Sequence, residues 1–256
     1  MPFWVMALLA TLGTWSITAL GAAVVLFFRK PKDRVLNAML GFAAGVMLAA
    51  SVWSLLEPAM AQAALLFRGP AWLMAAAGLL CGAVFLWGSD LLLLRFLRKE
   101  KSTRAARMLV LSITLHNIPE GLAVGVAFGA LAADPSKQVL LGAISVAVGI
   151  GMQNFPEGAA VSLPLQREGF SRKRSFFWGQ LSGAVEPVAG LLGALLSGWV
   201  RLTLPFLLSF AAGAMLLVCA RELIPACHMG GEKRPYLPTA AVLVGFALMM
   251  AMDNAL

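Results

Sequence analysis

Apolar segments of about 20 residues recur along this chain of 256 residues, and that recurrence limits its possible folds more than any other feature. A helix of about 20 residues spans roughly 30 Å, the thickness of the hydrocarbon core of a bilayer. Within hydrocarbon each backbone N–H and C=O must find a partner inside the protein, which selects helices for such runs. Eight spans can be drawn, over residues 3–28, 35–57, 71–94, 108–132, 138–165, 175–200, 204–228 and 236–254. Hydrophobic residues make up 60% of the chain and charged ones 12%, against about 25% charge in a soluble domain. The expected fold is an all-α polytopic membrane protein of eight transmembrane helices, a single transmembrane domain over residues 1–256. The first segment opens Met1-Pro2-Phe3-Trp4 with no basic stretch before it, and reads as a retained span rather than a signal peptide.

The formal net charge of +8 is explained by where the charges lie. Sixteen of the 20 Lys and Arg follow odd-numbered spans, in 29–34, 95–107, 167–174 and 233–234, whereas Arg68, Lys137 and Arg201 lie on the other side. Basic loops stay in the cytoplasm, so both termini are expected outside it. The charge is topology and does not mark a nucleic-acid surface. No loop is long enough for a soluble domain, and the basic stretch 95–107 reads as a solvated linker at the lipid surface. Cys81, Cys219 and Cys227 fall in or near spans without paired spacing, so no disulfide framework is expected.

Two segments share a short pattern. Gly41-Phe42-Ala43-Ala44-Gly45-Val46-Met47-Leu48 opens span two, and Ser209-Phe210-Ala211-Ala212-Gly213-Ala214-Met215-Leu216 opens span seven. These spans lie five crossings apart and so run in opposite directions. An inverted repeat, with spans one to three mirroring six to eight, leaves spans four and five in the centre; transporters often carry a midplane site between such halves.

The central spans carry the chemistry. Span four holds His116-Asn117-Ile118-Pro119-Glu120-Gly121 and span five Gln153-Asn154-Phe155-Pro156-Glu157-Gly158. A charged group at the bilayer centre costs about 2.5–3.5 kcal/mol on insertion scales, so two buried acids require a compensating partner. On a helix His116 and Glu120 are i and i+4, Asn117 and Glu120 i and i+3, and Gln153, Asn154 and Glu157 repeat the pattern. Each glutamate therefore stands between two neighbours. Pro119 and Pro156 free the carbonyls of Leu115 and Met152, and Gly121 and Gly158 allow another helix to approach closely. If the two spans face each other, one metal position would use His116, Glu120, Gln153 and Glu157, and an adjacent one Asn117, Glu120, Asn154 and Glu157. Glu186, mid-span six before Pro187, offers a third acid for the second position. This nitrogen and oxygen set suits Zn²⁺, with Fe²⁺, Mn²⁺ and Cd²⁺ as further candidates.

At these residues the chain resembles the ZIP (Zrt/Irt-like protein) family of divalent-metal transporters, and within it the GufA-like bacterial branch. The HNxPEG motif, the xNxPEG motif and the acid on span six carry the resemblance. It implies a 3+2+3 bundle with inverted pseudo-symmetry, metal movement into the cytoplasm and a two-position site made by His116, Asn117, Glu120, Gln153, Asn154, Glu157 and Glu186. It further implies sliding of spans one, four, five and six against the rest, a homodimer, and residence in the cell inner (plasma) membrane. Many members carry histidine where Gln153 stands, and the histidine-rich loop of many eukaryotic members is absent from 95–107.

His228 and Glu222, at the cytoplasmic end of span seven beside Cys227 and Met229, are candidates for an exit path, and Ser51, Glu57 and Met60 for an outer entrance. An intramembrane metal-dependent hydrolase could also place His, Glu and Asn around an activated water, and a membrane scaffold is a third possibility. The shared glutamates favour ion passage over an enzyme, with divalent metal ions and the lipid bilayer as partners. No cofactor is expected; the metal is substrate.

Overall fold

The computed structural model describes residues 1–27, 33–96, 101–228 and 236–255, with the side chains of 93–96, 101–109 and 112 left aside. Of the basic loop residues, Arg29, Lys30, Lys32, Arg98, Lys99, Lys233 and Arg234 lie outside the described residues, as does Met229. The described chain is helical, with no strand. In order it forms α1 (Phe3–Phe27), α2 (Asp33–Ala50), a π-turn (Ser51–Leu56), α3 (Glu57–Leu66), α4 (Ala71–Phe96), α5 (Lys101–Gly129), α6 (Lys137–Arg167), α7 (Arg172–Gly183), α8 (Glu186–Leu195), α9 (Ser197–Val218), a second π-turn (Cys219–Leu223), α10 (Ile224–Cys227) and α11 (Tyr236–Ala255). A short 3₁₀ turn, Ala130–Ala132, extends α5.

Six described stretches are long and apolar enough to cross a membrane: Phe3–Phe27, Asp33–Leu66, Ala71–Leu92, Lys137–Arg167, Ser197–Cys227 and Tyr236–Ala255. The chain is a multi-pass helical membrane protein. Two expected spans are not among the six. One is α5, which carries His116, Asn117 and Glu120 in its middle. The other is the pair α7–α8, whose members have only 12 and 10 residues.

That pair corrects the reading of residues 175–200 as one helix. The chain turns at Ala184 and Val185, and Glu186 and Pro187 start a new helix; proline at a first turn sacrifices no hydrogen bond. The boundary with the next span also shifts. Only Leu196, at φ −108° and ψ 25°, separates α8 from α9, and Arg201 lies inside α9 rather than in a loop. An interfacial arginine can remain helical while its guanidinium reaches water. Span two likewise continues beyond residue 57, through its π-turn into α3. Between α6 and α7, Gly169 adopts φ +91°, a backbone that a side chain would strain.

Helix crossings are set by glycine. Gly21 of α1 lies against the carbonyl of Phe155 in α6, and Gly158 of α6 against that of Thr18 in α1; a Cβ would sit 1.9 and 2.0 Å from those oxygens. The same reciprocal contact joins α2 to α11 (Gly45, Gly245), α4 to α9 (Gly82, Gly213) and α5 to α8 (Gly125, Gly193). Without side chains at the crossing, backbones approach closely and dispersion contacts replace the hydrophobic drive that lipid lacks. The main core is built around α2, α6 and α9, with Leu40, Met47, Leu163 and Met215 nearly fully buried. Outer faces carry exposed apolar side chains such as Leu73, Leu80 and Trp87 of α4, as a lipid-facing surface requires.

Candidate metal centre

Both hexapeptides lie inside continuous helices, which run on through Pro119 and Pro156. His116, Asn117 and Glu120 on α5, and Gln153, Asn154 and Glu157 on α6, are all at most 1% exposed. The glycines closing the two motifs set what surrounds them. A Cβ at Gly121 would sit 2.6 Å from the carbonyl oxygen of Glu186, and one at Gly158 2.0 Å from that of Thr18. Their absence brings α8 against the first motif and α1 against the second.

His116 bridges the two acids. Its Nε2 is 3.0 Å from Glu120 Oε1 and 3.1 Å from Glu157 Oε1; the second contact has hydrogen-bond geometry. Ligand atoms of these three residues lie within 4.8 Å of one another. A cation about 2.0–2.2 Å from each oxygen or nitrogen holds its ligands roughly 3–3.5 Å apart, which matches the two His116 spacings.

The carboxamides are held by their nitrogens. Asn117 Nδ2 donates to the carbonyl of Ser182 (3.0 Å), and Asn154 Nδ2 to the carbonyl of Thr14 (3.2 Å) and to both oxygens of Glu186 (3.0 and 2.9 Å). With the nitrogens anchored, the Oδ1 atoms of both asparagines remain without hydrogen-bond partners. So do Oε2 of Glu120 and of Glu157, Nδ1 of His116 and the whole amide of Gln153, while Glu120 Oε1 has only the 3.0 Å ion-pair contact with His116. Buried polar atoms are nearly always satisfied, and leaving one unpaired costs about 1–3 kcal/mol. A cluster of orphaned oxygens around one imidazole is what a desolvated cation would satisfy.

Of the seven expected ligands, the structure gathers His116, Glu120 and Glu157 into one set of converging atoms and keeps Asn117, Gln153 and Asn154 on the adjoining helical turns. Glu186, the first residue of α8, connects through Asn154 instead. Glu222 lies on the second π-turn, its carboxylate 3.8 Å from Arg221 Nε. His228 is exposed, with Nδ1 2.9 Å from the carbonyl of Ile224 and Nε2 3.0 Å from Thr239 Oγ1. Neither belongs to the converging set.

A cavity of about 520 Å³ opens onto Glu120, bounded by Ser54, Gln62, Gly149, Arg201 and Asp253. Ser51, Glu57 and Met60, the expected entrance, do not line it. The π-turn inserts an extra residue and brings Ser54, Pro58 and Gln62 to that face, while Ser51 is buried with its hydroxyl against the carbonyl of Met47 and the sulfur of Met215.

Sequence reading passed over three features. Asp253 accepts the single Ser54 hydroxyl proton between its two oxygens, 3.0 and 3.1 Å from Oγ, on the cavity wall. Asp90 of α4 pairs with Arg221 at 2.8 Å. Each aspartate follows a crossing glycine by eight residues, Gly82 to Asp90 and Gly245 to Asp253, a repeat that was legible. Thr14 and Thr18 contact Glu186, and three threonines at 11, 14 and 18 on one face of an otherwise apolar helix were the available signal.

A bundle of membrane-spanning helices enclosing a buried, underbonded imidazole–carboxylate centre defines a polytopic membrane protein whose interior offers a donor set fit for a divalent cation. The profile described as ZIP Zinc transporter matches residues 98–253. Zinc transporter ZIP11 of Homo sapiens is 37% identical, covering 98% of this chain and 97% of that protein. Zinc transporter GufA of Myxococcus xanthus is 39% identical over 97% of this chain and 98% of its own, and zinc transporter ZIPB of Bordetella bronchiseptica 36% over 98% and 81%. The chain belongs to the ZIP family, with a GufA-like character.

Proposed function

We propose that the protein carries divalent cations, Zn²⁺ first and Fe²⁺, Mn²⁺ and Cd²⁺ as further substrates, across the plasma membrane into the cytoplasm. The observation that carries this reading is the group of unpartnered buried oxygens around His116. Glu120 and Glu157 each have oxygen lone pairs for two adjacent positions, the first with His116 and Gln153, the second with Asn117, Asn154 and Glu186. Sharing lets an ion pass between positions without losing all its ligands at once, which suits transport better than hydrolysis. The relatives named above are called zinc transporters.

The helix contacts support eight spans in a 3+2+3 inverted repeat, with α2–α3, α7–α8 and α9–α10 each forming one span. Exchanging spans one to three with six to eight, and four with five, converts the α1–α6 crossing into α8–α5, and α2–α11 into α9–α4. All four are glycine crossings. The same contacts divide the bundle into α1, α5, α6 and α7–α8 on one side and α2–α4 and α9–α11 on the other, the division that sliding of one set against the other requires. With both termini outside, the cavity above Glu120 faces outward, Asp253 lies in the outer vestibule, and Glu222 and His228 lie toward the inner exit.

Uptake of radioactive Zn²⁺ into proteoliposomes tests this function. The wild type should exceed empty vesicles, His116→Ala and Glu157→Ala should fall to that background, and excess Cd²⁺, Fe²⁺ or Mn²⁺ should compete. Wild-type uptake at the level of empty vesicles would overturn the transport reading; full uptake by both variants would overturn the site.

A further inference from the structure

The three buried acids are held differently. Glu120 and Glu157 keep unpartnered oxygens, whereas both oxygens of Glu186 are engaged. The Thr14 hydroxyl donates to Oε2, the Thr18 hydroxyl lies 3.4 Å from Oε1, and the Asn154 amide nitrogen spans both. A carboxylate offers about four lone-pair directions, so these contacts use most of what Glu186 could offer a cation. Gly183 makes the arrangement possible: a Cβ there would meet Glu186 Oε1 at 3.1 Å and the Thr18 hydroxyl at 3.0 Å.

Both threonines also have a second acceptor in their own helix. Thr14 Oγ1 is 3.0 Å from the carbonyl of Thr11, and Thr18 Oγ1 is 3.3 Å from that of Thr14. A hydroxyl has one proton to donate. If Glu186 moves away, each threonine can turn that proton to its backbone acceptor, so no buried donor is left unsatisfied. Releasing Glu186 therefore exchanges charge-assisted hydrogen bonds for weaker neutral ones without stranding a donor.

We propose that Thr14 and Thr18 form a catch on α1 that holds Glu186 back from the second metal position, so that the second ion binds only after the catch opens. They are positioning residues: neither ligates the ion, and the hydroxyls of both act through Glu186. The proposal rests on the two-position reading above and deepens it.

Stepwise Cd²⁺ binding to the full-length protein in detergent, followed by isothermal titration calorimetry, tests the catch. Thr14→Val/Thr18→Val keeps side-chain shape and removes both hydroxyls. It should tighten the second Cd²⁺ step by about tenfold, the equivalent of one charge-assisted hydrogen bond no longer opposing it, and change the first step less than twofold. Thr14→Ser/Thr18→Ser should restore wild-type binding. Glu186→Gln should abolish the difference between threonine and valine backgrounds, since the coupling runs through that carboxylate. An unchanged or weakened second step in the valine variant overturns the proposal, as does a valine effect that persists with Glu186→Gln. If the double variant does not fold, Thr14→Val alone, which removes the shorter contact, is read in the same way. Loss of the first step is predicted for His116→Ala; its retention would overturn the site assignment itself and is distinct from failure of the catch.

Discussion

Gly158→Ala adds one methyl group where α6 meets α1. Its Cβ would lie 2.0 Å from the carbonyl oxygen of Thr18 and 2.7 Å from the amide nitrogen of Ala22, both backbone atoms of α1. Ordinary carbon–oxygen contact begins near 3.2–3.4 Å, so α1 must retreat by roughly 1 Å. Overpacking of this kind costs about 1–3 kcal/mol, and the better helix propensity of alanine returns up to about 1 kcal/mol. With the full return, a net loss of up to about 2 kcal/mol follows. The functional effect should exceed the effect on stability, because α1 carries the groups that contact Glu186 and Asn154. The 3.2 Å bond from Asn154 to the Thr14 carbonyl and the 3.4 Å contact from Thr18 to Glu186 cannot survive a 1 Å separation. Thermal unfolding in detergent and Zn²⁺ uptake in proteoliposomes would measure the two effects. Gly13→Ala is the control: it lies on α1 with nothing within 4 Å of the added Cβ, so the unfolding midpoint should hold or rise and uptake should persist. If Gly158→Ala matches Gly13→Ala in both assays, the claim that this crossing sets the geometry of the centre is wrong.

Gln153→His adds a second imidazole beside Glu157 and should raise the ratio of Zn²⁺ to Mn²⁺ uptake several-fold, since imidazole favours zinc and carboxylate or carbonyl oxygen favours manganese; an unchanged ratio would show that Gln153 does not face the ion. Asp253→Asn removes a negative charge from the cavity leading to Glu120 and should raise the KM for Zn²⁺ with little change in maximal rate, an effect that fades at high salt. Equal KM values at low ionic strength would exclude steering by that carboxylate. Arg167 Nη1 ties the end of α6 to Asn37 of α2 at 3.1 Å and to the carbonyl of Ala226 at the end of α10 at 2.9 Å. Arg167→Ala should lower stability by about 1–3 kcal/mol, read as a lower unfolding midpoint, and a midpoint equal to wild type would show that these bonds contribute nothing net.

The centre was legible because its chemistry follows helical spacing. The i, i+3 and i, i+4 intervals within each hexapeptide place His116 and Asn117 beside Glu120, and Gln153 and Asn154 beside Glu157, whatever the surrounding fold. The closing glycines, read as points of close approach, seat α8 and α1. Contacts made between distant segments were harder to read. Thr14 and Thr18 resemble ordinary small residues of an apolar helix until α1 is known to lie against Glu186. Ser51, Glu57 and Met60 fall off the cavity wall because a π-turn leaves no signature in hydrophobic periodicity, and one extra residue rotates all that follows by about 100°. The break before Glu186 was hidden because the sequence stays apolar through Ala184 and Val185. Arg201 suggested a loop that a snorkelling side chain made unnecessary. Asp90 and Asp253 were recoverable in principle, since their equal spacing from Gly82 and Gly245 is a second short sequence match of the kind seen at Phe42 and Phe210.

The central claim is that His116, Glu120 and Glu157 hold the transported cation. The direct measurement is an anomalous difference map from crystals of the protein grown with Cd²⁺, collected where cadmium scatters anomalously. The expected result is a peak bonded to His116 Nε2 and to one carboxylate oxygen each from Glu120 and Glu157. A well-occupied cadmium peak elsewhere in the bundle, with these three side chains uncoordinated, would contradict it.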